Sequence, residues 1–192
     1  MCDFREFRRI WRFRGVGAAA ALLTMAGVVG IGVLEGIAIG VLFSLILLLK
    51  ALAFPNDAVL GQAGPEEFHD LKRHPAAKAI PGVVLYRFMG PLFFANCTVF
   101  RERAEALVRA STDSLHGFIL DAAAIFEIDL AACEVLSDFH RELRDRGIRL
   151  VIVNLRDEVR DRLLRGWDGA ASEKGLFPAS LGAAVRDIQT RA

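Results

Sequence analysis

Cysteine is scarce and unpaired: Cys2, Cys97 and Cys133 are an odd number, far apart, with no Cys-x-x-Cys spacing. That pattern supports neither a disulfide framework nor a zinc knuckle. Cys97 and Cys133 sit in apolar surroundings and read as small core residues. The four histidines, His69, His74, His116 and His140, are scattered. His69 and His74 are five positions apart, which is neither helical metal-pair spacing, so no metal site is expected. Excess charge is also lacking. Lys and Arg number 24 against 23 Asp and Glu, a formal net charge of +1. Such a balance leaves no bulk field to attract nucleic acid, and no nucleic-acid partner is expected. Catalytic signatures are missing too. There is no Gly-x-Ser-x-Gly elbow, no Walker motif and no glycine fingerprint following a strand. Gly27-x-x-Gly30-x-Gly32 lies inside an apolar run, where close packing explains it better. The expectation is a non-enzyme with no cofactor.

What the chain does have is apolar residues, 54% of the total with a mean hydropathy of +0.37, and they are unevenly spread. Residues 1–14 carry Arg5, Arg8, Arg9, Arg12 and Arg14 against Asp3 and Glu6. Phe4, Phe7 and Trp11 recur there at helical spacing, the pattern of an interfacial amphipathic segment. Residues 15–49 hold a single ionisable group, Glu35. One continuous helix over that run would measure about 52 Å, against a hydrocarbon layer of about 30 Å. The run is too short for two spans of about 20 residues. Two short membrane helices are therefore expected, Val16–Val33 and Gly36–Leu49, turning at Leu34-Glu35-Gly36 so that the carboxylate leaves the lipid. Gly36-x-x-x-Gly40 is a small-residue contact motif. The Arg-rich foot and Lys50 flank the run on both sides, which puts both ends in the cytoplasm. Arg8-Arg9 before an apolar run has a twin-arginine look. The run is nevertheless far longer than the roughly 7–15 residues of a cleavable signal's core.

The organisation that follows is a basic cytoplasmic segment at 1–14, a transmembrane hairpin at 15–50, a linker at 51–81 and a soluble domain at 82–191. The linker carries or borders Pro55, Pro65, Pro75 and Pro81, with a short extended piece at Ala58-Val59-Leu60. Beyond Gly82 the pattern is α/β. Strands are expected at Val83–Phe88, Leu92–Phe94, Phe118–Leu120 and Arg149–Val153. Helices are expected at Thr98–Ala110, Ala132–Arg146 and Arg156–Trp167, with a last one through Leu181, Val185 and Ile188. Ala132, Leu136, Phe139 and Leu143 form one buried stripe. Strands separated by such helices imply parallel crossovers.

Asp121 and Asp129 flank the loop DAAAIFEID. Two carboxylates at a strand's end could hold a cation or move a proton. No His, Lys or nucleophile accompanies them, so the favoured roles are a strand end for Asp121 and a helix N-cap for Asp129. The arginine row Arg156, Arg160, Arg162 and Arg165 reads as a solvated helix face partnered by Asp157, Glu158 and Asp161.

Four stretches in order carry a family resemblance: GVLEGIAIGVLFSLILLLKAL, AVLGQ, PAAKAIPGVVLYRFMGPLFFANCTVFRERAEAL and ILDAAAIFEIDLAACEVL. Together they resemble the C-terminal part of SulP-type anion transporters, over nearly the whole chain. The resemblance implies two last membrane helices followed by a cytoplasmic STAS domain, a small mixed sheet with helices packed on one side. It implies a C-terminal piece of a secondary carrier of sulfate or a related inorganic anion, multi-pass in the inner membrane. Its partners would be membrane lipid, the rest of the transporter body or a second protomer, and cytoplasmic regulatory proteins. The regulatory or interaction loop would be Asp121, Asp129, Leu130 and Ala131. Ala131 stands where related antagonist domains carry a phosphorylatable hydroxyl, so that switch is not expected here. The transport body is largely missing, and its anion site needs half-helices from both inverted repeats, so this piece alone is not expected to transport. The alternative is a stand-alone, membrane-tethered STAS interaction protein.

Overall fold

Two apolar helices precede a mixed five-stranded sheet in this computed structural model, which describes residues 15–64, 66–111, 115–167, 170 and 175–191. The expected basic foot, with Cys2, lies outside the described residues. The chain divides into two units, Met1–Ala51 and Leu52–Ala192.

In the first unit, helix α1 (Gly15–Gly30) and helix α2 (Val33–Ala53) meet at Ile31-Gly32. The turn therefore falls three residues before the expected Leu34-Glu35-Gly36. Gly32 takes φ +155°, and a Cβ there would collide with the Glu35 carboxylate. Glycine, not the charge, sets the bend. Glu35 instead occupies the first turn of α2, where a carboxylate complements the partial positive charge of a helix start. Gly36 and Gly40 are buried, and side chains there would strike Val28 and Thr24 respectively. The small-residue motif thus lets α1 and α2 approach closely, backbone to backbone at Gly36 and around the Thr24 side chain at Gly40.

Helix α2 is also longer than expected, at 21 residues rather than ending at Leu49. It runs about 31 Å, the thickness of a hydrocarbon layer. Among the described residues it is the one helix long and apolar enough to cross a membrane, with mean hydropathy 2.4. The lysine does not stop it, because an exposed Lys50 can extend its amine toward water. Pro55 stops it, since the residue before a proline is driven out of the helical region.

In the second unit the sheet order is β2-β1-β3-β4-β5. The strands are β1 (Asn56–Gly64), β2 (Glu67–Asp70), β3 (Val83–Met89), β4 (Gly117–Asp121) and β5 (Arg149–Val153). Strands β1 and β2 pair antiparallel, β1 joins β3 antiparallel, and β3, β4 and β5 run parallel. The expected linker at 51–81, whose extended piece Ala58-Val59-Leu60 does lie in β1, thus carries a full β1–β2 hairpin. The rest of that hairpin was hidden because Gly61, Gln62 and Gly64 dilute the apolar alternation. These positions are held instead by partners distant in sequence. Gln62 exchanges two backbone hydrogen bonds of 2.9 Å with Lys78.

Leu92–Phe94 is not a strand. Only Leu92 pairs, in an isolated parallel bridge to Ile128. Pro91 lacks an N–H, and the Phe93 N–H is taken by the Asn96 side chain at 3.0 Å. The chain then turns directly into helix α3 (Cys97–Ala110).

Helices α4 (Leu130–Asp145), α5 (Asp157–Gly166) and α6 (Leu181–Arg191) complete the domain. Strands β3 to β5 are apolar on both faces, as strands covered on both sides must be. Val84, Tyr86, Phe118, Leu120 and Ile152 face the core beneath α3, α4 and α5. Val83, Leu85, Ile119, Val151 and Val153 face the other way, against Ala184, Val185 and Ile188 of α6. Three helices therefore share one side, as expected for this fold, and the C-terminal helix adds cover on the opposite side. Edge-on aromatic pairs knit the larger core: Phe118 with Phe139 at 5.2 Å and Phe88 with Phe100 at 5.5 Å between ring centres.

The predicted α4 stripe of Ala132, Leu136, Phe139 and Leu143 is wholly buried. Leu136→Asp should therefore abolish cooperative unfolding, because an unpaired buried charge costs about 4–5 kcal/mol or more. A denaturant melt matching the unsubstituted chain would show that the stripe is not in the core.

Candidate functional site

The parallel strands β3, β4 and β5 all end on one side, and their following loops gather there. Asp121, the last residue of β4, is fully buried. It sits opposite Arg87 in the β3 register. The Arg87 guanidinium approaches one carboxylate oxygen at 2.6 Å through both Nε and a terminal nitrogen. The other oxygen accepts from Asn154 Nδ2 at 2.9 Å and from the Ala123 N–H at 3.2 Å. Asn154 follows β5 and takes φ +59°, a left-handed conformation that asparagine tolerates better than most residues. Asp121 is thus neutralised and hydrogen-bonded from three strand ends. It acts as a strap.

Asp129 has separate work. Its Oδ1 accepts from the Ala132 N–H at 2.9 Å, capping α4. Its Oδ2 accepts from the Phe94 N–H at 2.8 Å, tying the β3–α3 loop to the β4–α4 loop. The partners of Asp121 and Asp129 do not overlap, so the structure does not combine the two carboxylates into one acid–base or cation site. Leu130 projects into solvent, and Ala131 is half-buried in the first turn of α4. No Ser, Thr or Tyr occurs from Asp121 through Leu136.

Asn96 was missed by the sequence reading. It is fully buried, and its amide donates to the carbonyls of Leu52 at 3.0 Å and Pro91 at 2.8 Å. Its oxygen accepts the Phe93 N–H. The available signal was its type: asparagine just ahead of a helix is a common start residue. Here it braces a loop instead of capping the helix. The arginine row also differs in its partner. All four arginines are exposed, but Arg162 pairs with Glu127 of the β4–α4 loop. Arg160 lies over the Phe177 ring at 5.9 Å.

His69 and His74 come together despite their spacing, with ring centres 4.6 Å apart. A turn after β2 causes this, the Asp70 carbonyl accepting from the His74 N–H at 2.9 Å. Among the described residues no three His, Cys, Asp or Glu side chains are placed to hold a metal ion.

Residues 74–166 match the STAS domain family. The chain carries a STAS domain. It is 38% identical over 164 residues to the Mycobacterium tuberculosis protein named "Probable sulfate transporter Rv1739c", covering 85% of this chain and 29% of that one. It is 30% identical over 147 residues to the Arabidopsis thaliana "Probable sulfate transporter 3.5", covering 74% and 23%. The chain thus spans less than a third of the length of these relatives. Among solved structures, the murine Solute Carrier 26 family member A9 anion transporter in its inward-facing state superposes with TM-score 0.85. That match has 23% identity and covers 95% of this chain and 30% of the other. It shows a shared fold.

In this STAS domain, Cys133 lies behind the loop on the buried side of α4. Burial, reinforced by the Asp129 and Glu134 charges, pushes its thiol pKa up to about 11. The unfolded thiol then ionises first, so stability should fall as pH rises from about 9 through about 11. Cys133→Ala should flatten that slope in denaturant melts. Asp129→Ala should lower stability by about 1–2 kcal/mol through loss of the cap. Asp129→Asn, which keeps one acceptor oxygen, should lose less in the same melts.

Proposed function

We propose that this chain is the C-terminal part of a SulP-like secondary carrier of sulfate or a related inorganic anion. In this reading residues 15–50 form a hairpin in the inner membrane. The STAS domain lies in the cytoplasm and serves assembly or regulation. The observation that carries the reading is the extent of the sulfate-transporter match. An alignment covering 85% of the chain must include α2, wherever it starts. The likeness therefore joins a bilayer-length apolar helix to a STAS domain in one polypeptide. Arginines before the hairpin and Lys50 after it favour cytoplasmic placement of both ends.

The geometry of the loop supports a binding or assembly role, with Asp121 and Asp129 as the internal braces and Leu130 and Ala131 at the surface. Asp121 has no free lone-pair geometry left for chemistry, and a loop without Ser, Thr or Tyr offers no hydroxyl of the kind a serine/threonine or tyrosine kinase modifies. Transport would need the remaining body, because an anion site of broken helices draws on both repeats. A membrane-tethered STAS interaction module is the second reading. It is favoured by the self-sufficiency of the 52–192 unit, whose two hydrophobic cores are built from its own residues.

Three measurements test this. Carbonate washing should leave the chain in the membrane fraction. Protease added outside intact cells should spare everything beyond Lys50. Liposomes containing only this polypeptide should take up no more labelled sulfate than empty ones. Digestion of the tail from outside would reverse the topology, and uptake by the chain alone would refute its role as one part of a carrier.

A further inference from the structure

Helix α2 ends where its own backbone runs out of partners. To continue the helix, the Leu52 carbonyl would need the N–H of Asn56, but Asn56 already opens β1. Pro55 has no N–H to offer the carbonyl before it. Two carbonyls of this junction are instead taken by side chains at the start of α3. Asn96 Nδ2 donates to the Leu52 carbonyl at 3.0 Å. An Arg103 terminal nitrogen donates to the Pro55 carbonyl at 2.8 Å and meets the Asp57 carboxylate at 3.1 Å. Leu52, Pro55 and these partners all belong to the second unit.

The same Asn96 amide donates to the Pro91 carbonyl at 2.8 Å and accepts the Phe93 N–H at 3.0 Å. The interleaved residues Leu92 and Phe94 give their N–H groups to the β4–α4 loop, at the Glu127 carbonyl (2.9 Å) and the Asp129 carboxylate (2.8 Å). Residues 91–94 are thus held alternately by Asn96 and by that loop. Three of the bonds share one planar, fully buried group. An N–H left in the core without an acceptor is heavily penalised, so the amide does not release Leu52 and stay in place. When it swings away, its oxygen leaves the Phe93 N–H in the same motion. Asp121 stays outside this chain of bonds, since its partners are Arg87, Ala123 and Asn154. It anchors the start of the β4–α4 loop, and the Asn96 route acts on the far end.

We propose that Asn96 is a positioning residue that makes the last turn of α2 and the β4–α4 loop open and close as one unit. A change at the end of α2 reaches Asp129, and with it Leu130 and Ala131, through Asn96 and residues 91–94. This rests on the reading of that loop as the element of assembly or regulation, and it names the route by which the loop is set. Folded domains fluctuate by opening in cooperative blocks, and a shared block couples whatever lies at its two ends.

The test is amide hydrogen exchange, read by NMR on the full chain in detergent micelles. In the unsubstituted chain the amides of Ala51 to Ala53 and of Leu92 to Phe94 should share one opening free energy, lower than that of Val151 and Val153 in β5. Asp129→Ala then cuts the loop end. It should speed exchange at Ala51 to Ala53 about tenfold beyond any rise in β5, the effect of losing about one hydrogen bond. In an Asn96→Ala background the same substitution should add nothing there. A merely structural Asn96 would raise exchange evenly through the domain and leave the Asp129 effect at α2 intact, and that result overturns the proposal. Unequal opening of the two segments in the unsubstituted chain overturns it too, a comparison that stands even where Asn96→Ala fails to fold. Carbonate washing keeps the two claims apart. A chain that washes off the membrane yet shows the shared opening defeats the membrane reading alone, whereas a retained chain without it defeats the Asn96 link alone.

Discussion

A buried carboxylate holds the business end of this domain in shape. Asp121 terminates β4 with no solvent contact, and its charge is met by Arg87 from β3 and by Asn154 after β5. An ion taken out of water must be compensated in place. The three parallel strands therefore finish at a common level, and their loops emerge side by side. The β3–α3 loop and the β4–α4 loop are then laced together by Asp129 and by the Leu92–Glu127 backbone bond. Without that lacing, Phe94 and Leu130 would belong to two independent loops.

Under the proposed membrane reading, the apolar segment obeys a different constraint. In hydrocarbon every backbone polar group must be satisfied within the segment. Helices are the available answer, and glycine decides how closely two of them can approach. Gly36 gives α1 and α2 a backbone contact at Val28, and Gly40 leaves room for the Thr24 side chain, where larger residues would clash. The same chain thus uses glycine for approach in the hairpin and aromatic bulk for cohesion in the STAS core.

Much of the second unit could be read directly. The stripe along α4 and the run Arg149–Val153 are local patterns whose period matches their final structure. Asp129 as a helix start was legible for the same reason, since a cap needs only its own helix. Of the β1–β2 hairpin only the extended piece Ala58-Val59-Leu60 was legible. Its glycines and Gln62 carry little strand signal, and its stability comes from β3 and from Lys78, which lie far along the chain. Asn96 was illegible too, because its partners, Leu52 and Pro91, meet only after folding. The turn in the hairpin was misplaced because a charge in an apolar run looks like a boundary. The backbone instead bent where a glycine allowed it.

The sequence by itself determined the order of parts: an apolar stretch, then an α/β domain, with an acidic loop that lacks any hydroxyl. Those are properties of composition and local periodicity, and they do not depend on distant partners. Tertiary structure alone supplied Arg87 and Asn154 as the partners of Asp121 and the Phe94 N–H as the second partner of Asp129, and brought the His69 and His74 rings together. It also decided that the β3–α3 and β4–α4 loops would be tied together. Each of these is a meeting between segments remote in sequence, set by strand pairing and helix packing, and no local pattern encodes such a meeting.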